Sequence, residues 1–565
     1  MLSSRRRGIG ARPSFCRGLD CVTVSAHVRV RWLLASIWIC FLLRGWFYAS
    51  MFPLWEGYDE FSHFGVVRAM ATKGILLAPR DQAGPRDVEQ SLKLAPIPWE
   101  VRGWDVFRAS LTEEAYWSLP AEERQQREAR LRDMPPDWYR EDSAAGVSAY
   151  EAYQPPLYYW LLAPVIATVR GSGLLAQVML LRWIGVAIAS LALPLIFRIA
   201  LTVTGSEAAA LGCSAMVAVM PEFATNLARV SNEPLSILLF TLLTWWGLRI
   251  LNRAPSVSSA AALGAILGLG LLTKAYFLTA VPSVLLLLLY KYRKAWLAGL
   301  TTCAVTVAIA SWWYVRNILT TGTFSGLAET VMLRGKSATE LLPAILRIPW
   351  IRAVDVILVS HLYFCGWSSL TVRSWIYRIF FAIAIVAAVG LVSHLRQPAV
   401  AWLAAIYGFF WLGELYNVYL QYLTKGLAGS MGWYMYAVVA CEVVLCSVAF
   451  GRWRVWALAL GTFLFGILDI YAMHWVAMPY YTGIIGHKAN GALAALHIGA
   501  YRSVGFHQAL ERLAANKPAL ISEPVLVALW ILYLAGTMLP MAAMLVLALR
   551  SRETDVRQDS GRMQV

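Results

Sequence analysis

Two neighbouring carboxylates follow the first apolar stretch of the chain and are well placed to do chemistry. Asp59 and Glu60 stand together, and His63 follows four residues after Asp59. On a helix, Asp59 and His63 would share one face. A carboxylate at this position could act as a general base toward a hydroxyl or amine. Alternatively, it could bind a divalent metal ion together with His63. The alternative is a plain helix start, where the helix dipole favours acidic residues.

Two cations end later apolar runs. Lys274 closes the run 266–274, and Arg316 closes the run 312–316. Such a pair could hold a phosphate or pyrophosphate group. The alternative is that each long side chain reaches from the membrane to water without binding anything.

A tyrosine- and proline-rich string, 150–159, is the most distinctive stretch of the sequence. Its two prolines fix the backbone before a short helix, and its tyrosines present rings to lipid and hydroxyls to water. Gln154, Tyr158 and Tyr159 are the candidates to line a substrate site. A simple interfacial anchor is the alternative.

The composition predicts an all-α polytopic membrane protein. The chain has 565 residues, 59% of them hydrophobic and 15% charged, with a mean hydropathy of +0.57. A membrane span needs roughly 20 apolar residues, and the sequence has many such runs. The net charge of +16 falls mainly in short basic connections between these runs, so we expect no nucleic-acid partner. The cysteines show no zinc-like spacing. No cofactor is indicated beyond the divalent metal at Asp59 and His63.

The basic residues orient the predicted spans. Arginines before residue 32 place the N-terminus in the cytoplasm and residue 55 outside. The short, proline-containing segment 155–169 is expected to lie flat or re-entrant on the outer face. About 12 spans follow, with both termini cytoplasmic. They are expected near 32–54, 178–200, 207–226, 233–251, 257–274, 276–290, 296–315, 374–394, 398–417, 432–450, 455–475 and 524–549.

These spans divide the chain into seven regions. The outer loop after the first span is expected to contain a charged helix, Ala121 to Asp133. In order, the regions are a basic N-terminus at 1–31, a first span at 32–54, an external loop with juxtamembrane helices at 55–177, six spans at 178–315, an external loop with an interfacial helix at 316–373, a C-terminal membrane region at 374–549 with an external loop at 476–523, and a cytoplasmic tail at 550–565.

The order of these motifs resembles the GT-C glycosyltransferases, polytopic enzymes that include protein O-mannosyltransferases and the lipid A aminoarabinose transferases. The resemblance covers roughly residues 32–320. It rests on Asp-Glu-x-x-His-Phe at 59–64, Gln-Pro-Pro-Leu-Tyr-Tyr at 154–159, Ser-Asn-Glu at 231–233, Leu-Thr-Lys at 272–274 and Trp-Tyr-Val-Arg-Asn at 313–317. It implies inverting transfer of a sugar from a polyprenyl phosphate to a glycan, lipid or protein. It also implies a bacterial inner membrane with the site facing the periplasm or cell exterior.

The resemblance also implies roles for individual residues. Asp59 would be the catalytic carboxylate, and Glu60 would orient Asp59 or the sugar. The residues expected to bind substrate are Gln154, Tyr158, Tyr159, Asn232, Glu233, Lys274 and Arg316.

Two positions depart from the family pattern. Tyr153 stands where relatives often have His, and Trp433 stands where they often have Arg. The second departure leaves open an inactive relative that acts in binding or assembly. A transporter or flippase of lipid-linked sugars is the other alternative. Such a protein needs deep polar groups, and Arg44, Glu442 and Asp469 are the candidates.

Overall fold

The regular structure of the chain is almost entirely helical, which confirms the predicted fold class. The computed structural model describes residues 17–562 except 81, 136–146, 489, 498, 500, 501 and 503. The α-helices in this part are α1 Arg17–Met51, α2 Glu60–Lys73, α3 Arg86–Leu94, α4 Glu113–Trp117, α5 Ala121–Arg132, α6 Leu157–Thr168, α7 Leu174–Ser190, α8 Ala192–Thr204, α9 Glu207–Val219, α10 Pro221–Leu227, α11 Glu233–Leu251, α12 Val257–Leu271, α13 Ala280–Lys291, α14 Trp296–Thr321, α15 Ala328–Met332, α16 Ala338–Leu341, α17 Trp350–Leu362, α18 Ser374–Leu391, α19 Pro398–Lys425, α20 Val439–Ala449, α21 Arg454–Ala472, α22 Met478–Tyr481, α23 Phe506–Ala514 and α24 Glu523–Arg562.

Short 3₁₀ segments and one small sheet complete the described structure. Strands β1 Pro96–Ile97 and β2 Leu111–Thr112 pair in parallel. A π-helical turn, Met473–Ala477, continues α21. The 3₁₀ segments are Trp99–Gly103, Asp105–Phe107, Tyr150–Tyr153, Ala275–Thr279, Leu342–Leu346, Gly366–Ser368, Val392–His394, Gly432–Val438 and Gly451–Trp453.

Nine helices among the described residues are long and apolar enough to cross a membrane, or ten if the bent pair α9–α10 is one span. Helix α12 and the stretch Ala275–Lys291 are apolar but shorter, and they lie where the spans 257–274 and 276–290 are predicted. The exact number of crossings therefore stays a prediction. The nine are Arg29–Met51, Leu174–Thr204, Glu233–Leu251, Trp296–Thr321, Ser374–His394, Pro398–Lys425, Gly432–Ala449, Gly451–Tyr481 and Glu523–Arg552.

A buried ion pair stabilises the 63° bend between α9 and α10. The bend leaves backbone carbonyls at the end of α9 without helical partners. The Arg44 guanidinium donates to the carbonyls of Ala218, Val219 and Met220 at 3.0–3.2 Å. Its charge is balanced by Asp469, whose Oδ1 lies 2.6 Å from Arg44 Nη2. One arginine thus joins α1, the bend and α21.

The described residues between 52 and 156, called the cap below, contain helices α2 to α5 and both strands. The predicted charged helix is present as α5, with Arg127 bonded to Glu123. The cap also contacts a late segment of the chain, because Glu114 Oε1 accepts from the backbone N and lies 2.7 Å from Nδ1 of His487. The His487 ring stacks on Trp99 at 4.2 Å. These contacts join the cap, which forms part of the cavity wall described next, to residue 487.

Candidate active site

A cavity of about 1340 Å³ lies where the cap meets the helix bundle. Its wall is drawn from distant parts of the chain, namely the cap, residues 274–279, 324–330, 364–369 and 410–434. The wall carries many aromatic rings and several carboxylates, a composition suited to a hydroxyl-rich ligand that also has apolar faces. The carboxylates that line it are Asp59, Glu100, Glu151, Glu329 and Glu414.

Asp59 presents its carboxylate to this cavity. It occupies the N-cap position of α2 with a left-handed backbone (φ 57°), but its side chain makes no capping hydrogen bond. Instead, Asp59 Oδ1 accepts a 2.5 Å hydrogen bond from the hydroxyl of Tyr150. The Asp59 carboxylate therefore lies on the cavity wall and is not used as a helix cap; whether it does chemistry stays a prediction.

Glu151 is a second cavity carboxylate, and sequence reasoning did not select it. Burial, and then the charge of Asp59, raise the pKa of Glu151 to about 8, so its neutral form prevails at neutral pH. Its Oε2 lies 3.7 Å from Nε2 of His63. Burial and two nearby cations lower the pKa of His63 well below its usual value. The two neighbours therefore meet as neutral groups. The acidic residue within the string 150–159 was the signal available in the sequence.

His63 and Tyr159 lie behind the wall rather than on it. His63 Nδ1 lies 2.9 Å from the Tyr159 hydroxyl, and that hydroxyl donates to the Glu151 carbonyl. These contacts hold the 150–153 turn in place from the side away from the cavity wall. No group of three or more His, Cys, Asp or Glu suited to a metal ion occurs in the described part of the chain, and His63 is turned toward Tyr159 and Glu151. The metal site stays an untested prediction.

Glu60 lies outside the cavity wall, in a buried ion pair. Arg182 Nε and Nη2 donate to its two oxygens at 2.7 and 2.5 Å. The backbone N of Val230 also donates to Glu60 Oε1 at 2.9 Å. The carboxylate is fully engaged, so the geometry favours a positioning role over direct chemistry.

Lys274 lines the cavity, but Glu233 neutralises it. Lys274 Nζ bonds Glu233 Oε1, and the Tyr276 hydroxyl donates to Oε2 of the same carboxylate at 2.7 Å. The ammonium also lies 4.9 Å from the centre of the Tyr434 ring. The second lysine on the wall, Lys425, is paired with Glu329 at 3.0 Å. Both lysines on the wall are thus already paired with carboxylates.

The remaining predicted residues divide between the wall and the interior. Gln154 lines the cavity, and its Oε1 is buried without a hydrogen-bond partner among the described residues. Tyr158 is fully buried. Asn232 is also buried, where its Nδ2 donates to the Thr273 carbonyl at 3.2 Å. Arg316 lies outside the wall, with its guanidinium 5.1 Å from the Trp313 ring centre.

Trp433 forms part of an aromatic–cation stack. Its ring lies parallel to that of Tyr58, with 3.5 Å between centroids, and the Arg229 guanidinium lies 4.8 Å from the Tyr58 centroid. Arg229 is buried and donates to the Tyr58 carbonyl at 2.8 Å. Sequence reasoning missed Arg229, although an arginine within an apolar stretch is itself a signal of a functional or structural contact. The Arg229 cation therefore lies close to Trp433.

Comparisons with known proteins give a distant structural likeness. No protein-family model and no curated protein matches the chain. Among solved structures, it is similar to the crystal structure of ArnT from Cupriavidus metallidurans in the apo state, with 13% identity and a TM-score of 0.43. The match covers 95% of this chain and 78% of that one. At this distance the likeness assigns no activity to the chain.

Proposed function

We propose that this chain is a membrane glycosyltransferase that moves a sugar from a polyprenyl phosphate to an acceptor, with Asp59 as the base. The observation that carries the proposal is the Asp59 carboxylate, held on the wall of a large aromatic cavity and free of any capping role. The order of sequence motifs that resembles the GT-C enzymes supports it. The positive-inside pattern of the connections supports an outward-facing site.

The proposed reaction is a single inverting displacement. The acceptor hydroxyl or amine attacks the anomeric carbon of the donor sugar while Asp59 takes the acceptor's proton. The bond between the anomeric carbon and the phosphate oxygen breaks, and the polyprenyl phosphate leaves with that electron pair. A base contributes roughly 10²–10⁴-fold to such a step.

Glu151 and Asp59 have different roles in this proposal: Glu151 is a hydrogen-bond donor, and Asp59 is the base. Glu151 stays protonated near neutral pH because burial raises its pKa to about 8, and it donates a hydrogen bond to a sugar or phosphate oxygen. Tyr150 holds Asp59 in place through the 2.5 Å hydrogen bond.

The buried polar groups support this proposal over transport. Arg44 and Asp469 are both 0% exposed and form an ion pair, and Arg44 also donates to a carbonyl at the end of α9. Glu442 Oε1 lies 3.0 Å from His361 Nε2. A transport path needs polar groups that exchange partners near the membrane centre, whereas these groups hold helices together.

The test compares Asp59→Asn with Asp105→Asn, an exposed surface control. Each purified chain is placed in vesicles with polyprenyl-phosphate-linked sugars extracted from bacterial membranes. Mass spectrometry then follows the released polyprenyl phosphate and the glycosylated product. We expect the transfer rate of Asp59→Asn to be at least about 100-fold lower than that of the parent, and the rate of Asp105→Asn to equal that of the parent.

Three other outcomes would contradict the proposal. Full transfer by a folded Asp59→Asn variant would remove Asp59 as the base. Movement of the lipid across the vesicle without transfer by the parent would indicate a flippase. Neither activity in the parent would indicate an inactive relative that binds or assembles.

A further inference from the structure

Two tryptophans meet on the cavity wall, one from the cap and one from the segment 364–369. The rings of Trp104 and Trp367 lie edge to face, with 5.9 Å between their centroids and 74° between their planes. Trp104 is 38% exposed, and the Phe107 ring packs beside it at 5.7 Å. Because neighbouring rings hold it on two sides, the Trp104 indole offers a fixed, flat and apolar face to a ligand in the cavity.

The loop that carries Trp367 has an unusual backbone. Cys365 and Ser369 both lie in the left-handed region, with φ of 51° and 52°, where residues other than glycine are uncommon. Strained backbone of this kind persists only where the surrounding structure fixes it, and it is concentrated at ligand-binding and catalytic sites. The strain therefore directs attention to what this loop presents to the cavity.

Two buried carboxylates fix the loop. Glu222 Oε2 accepts from the backbone N–H groups of Phe364 and Cys365, both at 2.9 Å. Glu56 accepts from the backbone N–H and from the hydroxyl of Ser368, at 2.8 and 2.9 Å. Since both carboxylates come from distant parts of the chain, the tertiary fold sets the position of the second tryptophan.

Two polar side chains accompany the rings on the wall. The Glu100 carboxylate and the Ser369 hydroxyl both line the cavity, and neither hydrogen-bonds to a described residue. Glu100 is exposed and lies four residues before Trp104. A carboxylate accepts hydrogen bonds, and a hydroxyl can donate or accept them. An apolar face flanked by such groups matches a sugar ring, which has C–H groups on its faces and hydroxyls around its edge.

This part of the wall adjoins the proposed base. Trp367 meets the ring of Tyr58, the residue before Asp59, edge to face at 5.3 Å. Tyr150, which donates to Asp59, lines the same cavity. One ring contact thus separates the tryptophan pair from the neighbour of the base. An acceptor bound there would be close to the group that takes its proton.

A different part of the wall is apolar. Phe324, Tyr416 and Leu427 line the cavity and are each more than half exposed. A hydrocarbon chain would be matched by these side chains better than by a wall that includes an unpaired carboxylate. The tryptophan pair is therefore the part of the cavity that suits a polar ring.

We propose that Trp104, Trp367 and Glu100 form the acceptor subsite, and that the acceptor is a glycan whose terminal sugar ring packs on the Trp104 indole. The inference rests on the proposed function and narrows its acceptor from a glycan, lipid or protein to a glycan. The C–H groups of one sugar face lie against the negative face of the indole. The ring hydroxyls donate to Glu100, and Trp367 borders the sugar on the side of Asp59.

The test measures sugar binding by saturation-transfer difference NMR on the full-length chain in nanodiscs, with empty nanodiscs as the blank. The probes are maltotriose, cellotriose, mannotriose and chitotriose, each titrated alone. We expect saturable binding of at least one of them, with the strongest transfer to C–H protons on one face of its terminal ring. Trp104→Ala should weaken that binding at least about tenfold, because the stacking face is lost, and Trp104→Phe should restore most of it. Trp296→Ala, at an exposed tryptophan of α14 that does not line the cavity, is the matched control and should bind like the parent.

Absence of saturable binding by all four sugars would overturn the proposal, and so would parental affinity in a folded Trp104→Ala variant. If that variant does not fold, Glu100→Ala decides, because it removes a hydroxyl acceptor from an exposed position. We expect about fivefold weaker binding there, and parental affinity would again overturn the subsite.

The outcome is separable from that of the proposed function, because no donor is present and no transfer is measured. Unimpaired transfer by Asp59→Asn would remove the base and leave a positive sugar-binding result standing. Intact transfer by the parent without sugar binding would reject the glycan subsite alone and return the acceptor to a lipid or a protein.

Discussion

At the scale of single residues, the backbone of Asp59 explains why its carboxylate faces the cavity. A non-glycine residue in the left-handed region costs roughly 1 kcal/mol or more, and Asp tolerates it better than most residues. An aspartate at this helix position ordinarily accepts from the first backbone N–H groups of the helix. Here the Asp59 side chain bonds Tyr150 instead. The strained backbone thus belongs to the residue whose carboxylate faces the cavity.

The protonation of Glu151 predicts a pH dependence of stability. Its pKa is raised to about 8 in the folded protein against 4.5 ordinarily, so the folded state holds a proton that the unfolded chain releases. The stabilisation from this proton is complete below pH 4.5 and declines as pH rises to about 8. We expect the thermal midpoint in detergent to fall across this window, and Glu151→Gln to make the fall shallower.

Part of the slope should remain in that variant. Burial also raises the pKa of Glu56 to about 8, and Glu56 is unchanged by the substitution. Glu122→Gln, at an exposed position of α5, is the control and should show the full parental slope. A Glu151→Gln slope equal to that of the parent would show that Glu151 is ionised in the folded protein.

At the scale of elements, Arg182 positions the turn that carries Asp59. From α7 it donates to the carbonyls of Ala49, Phe52 and Pro53 at 2.8–3.2 Å, and so satisfies the C-terminal end of α1. It also binds Glu60 at the start of α2. One side chain therefore fixes both ends of the turn 52–59.

A double-mutant cycle on Glu60 and Arg182 tests this positioning role. Arg182→Gln leaves the buried Glu60 charge unpaired, and Glu60→Gln leaves that of Arg182 unpaired. Each single change should destabilise by about 3 kcal/mol, seen as a lower thermal midpoint in detergent. The double variant should lose less than the sum of the two. Strict additivity would contradict direct coupling between the pair.

Some of these elements could be predicted from the sequence and some could not. The apolar runs locate the spans because span length follows from bilayer thickness, and the i, i+4 charges locate α5. The partner of Glu60 could not be predicted, because Arg182 lies 122 residues later within an apolar run. Periodicity reports which face of a helix is apolar, but not which distant helix packs against it.

At the scale of the whole molecule, the cavity combines segments that are far apart in sequence. Asp59, Gln154 and Lys274 were selected from the sequence and all three line it. Glu414 and Tyr434 also line it, but neither was selected from the sequence, because in the C-terminal half only Trp433 had been singled out. The neutralisation of Lys274 by Glu233 could not be predicted from the sequence either, because it requires α11 and the end of α12 to lie side by side.

The Arg44–Asp469 pair predicts how the bundle responds to loss of one buried charge. Tyr48 and Thr537 also donate to Asp469, at 2.5 and 3.0 Å, so α1, α21 and α24 meet at this carboxylate. Asp469→Asn leaves the Arg44 charge uncompensated, which should cost about 3–5 kcal/mol and loosen the α9–α10 bend that Arg44 holds. We expect a lower thermal midpoint and faster hydrogen–deuterium exchange at residues 218–227. Asp355→Asn, at an exposed position of α17, should change neither. Parental exchange at the bend in a destabilised Asp469→Asn variant would show that the bend holds without this ion pair.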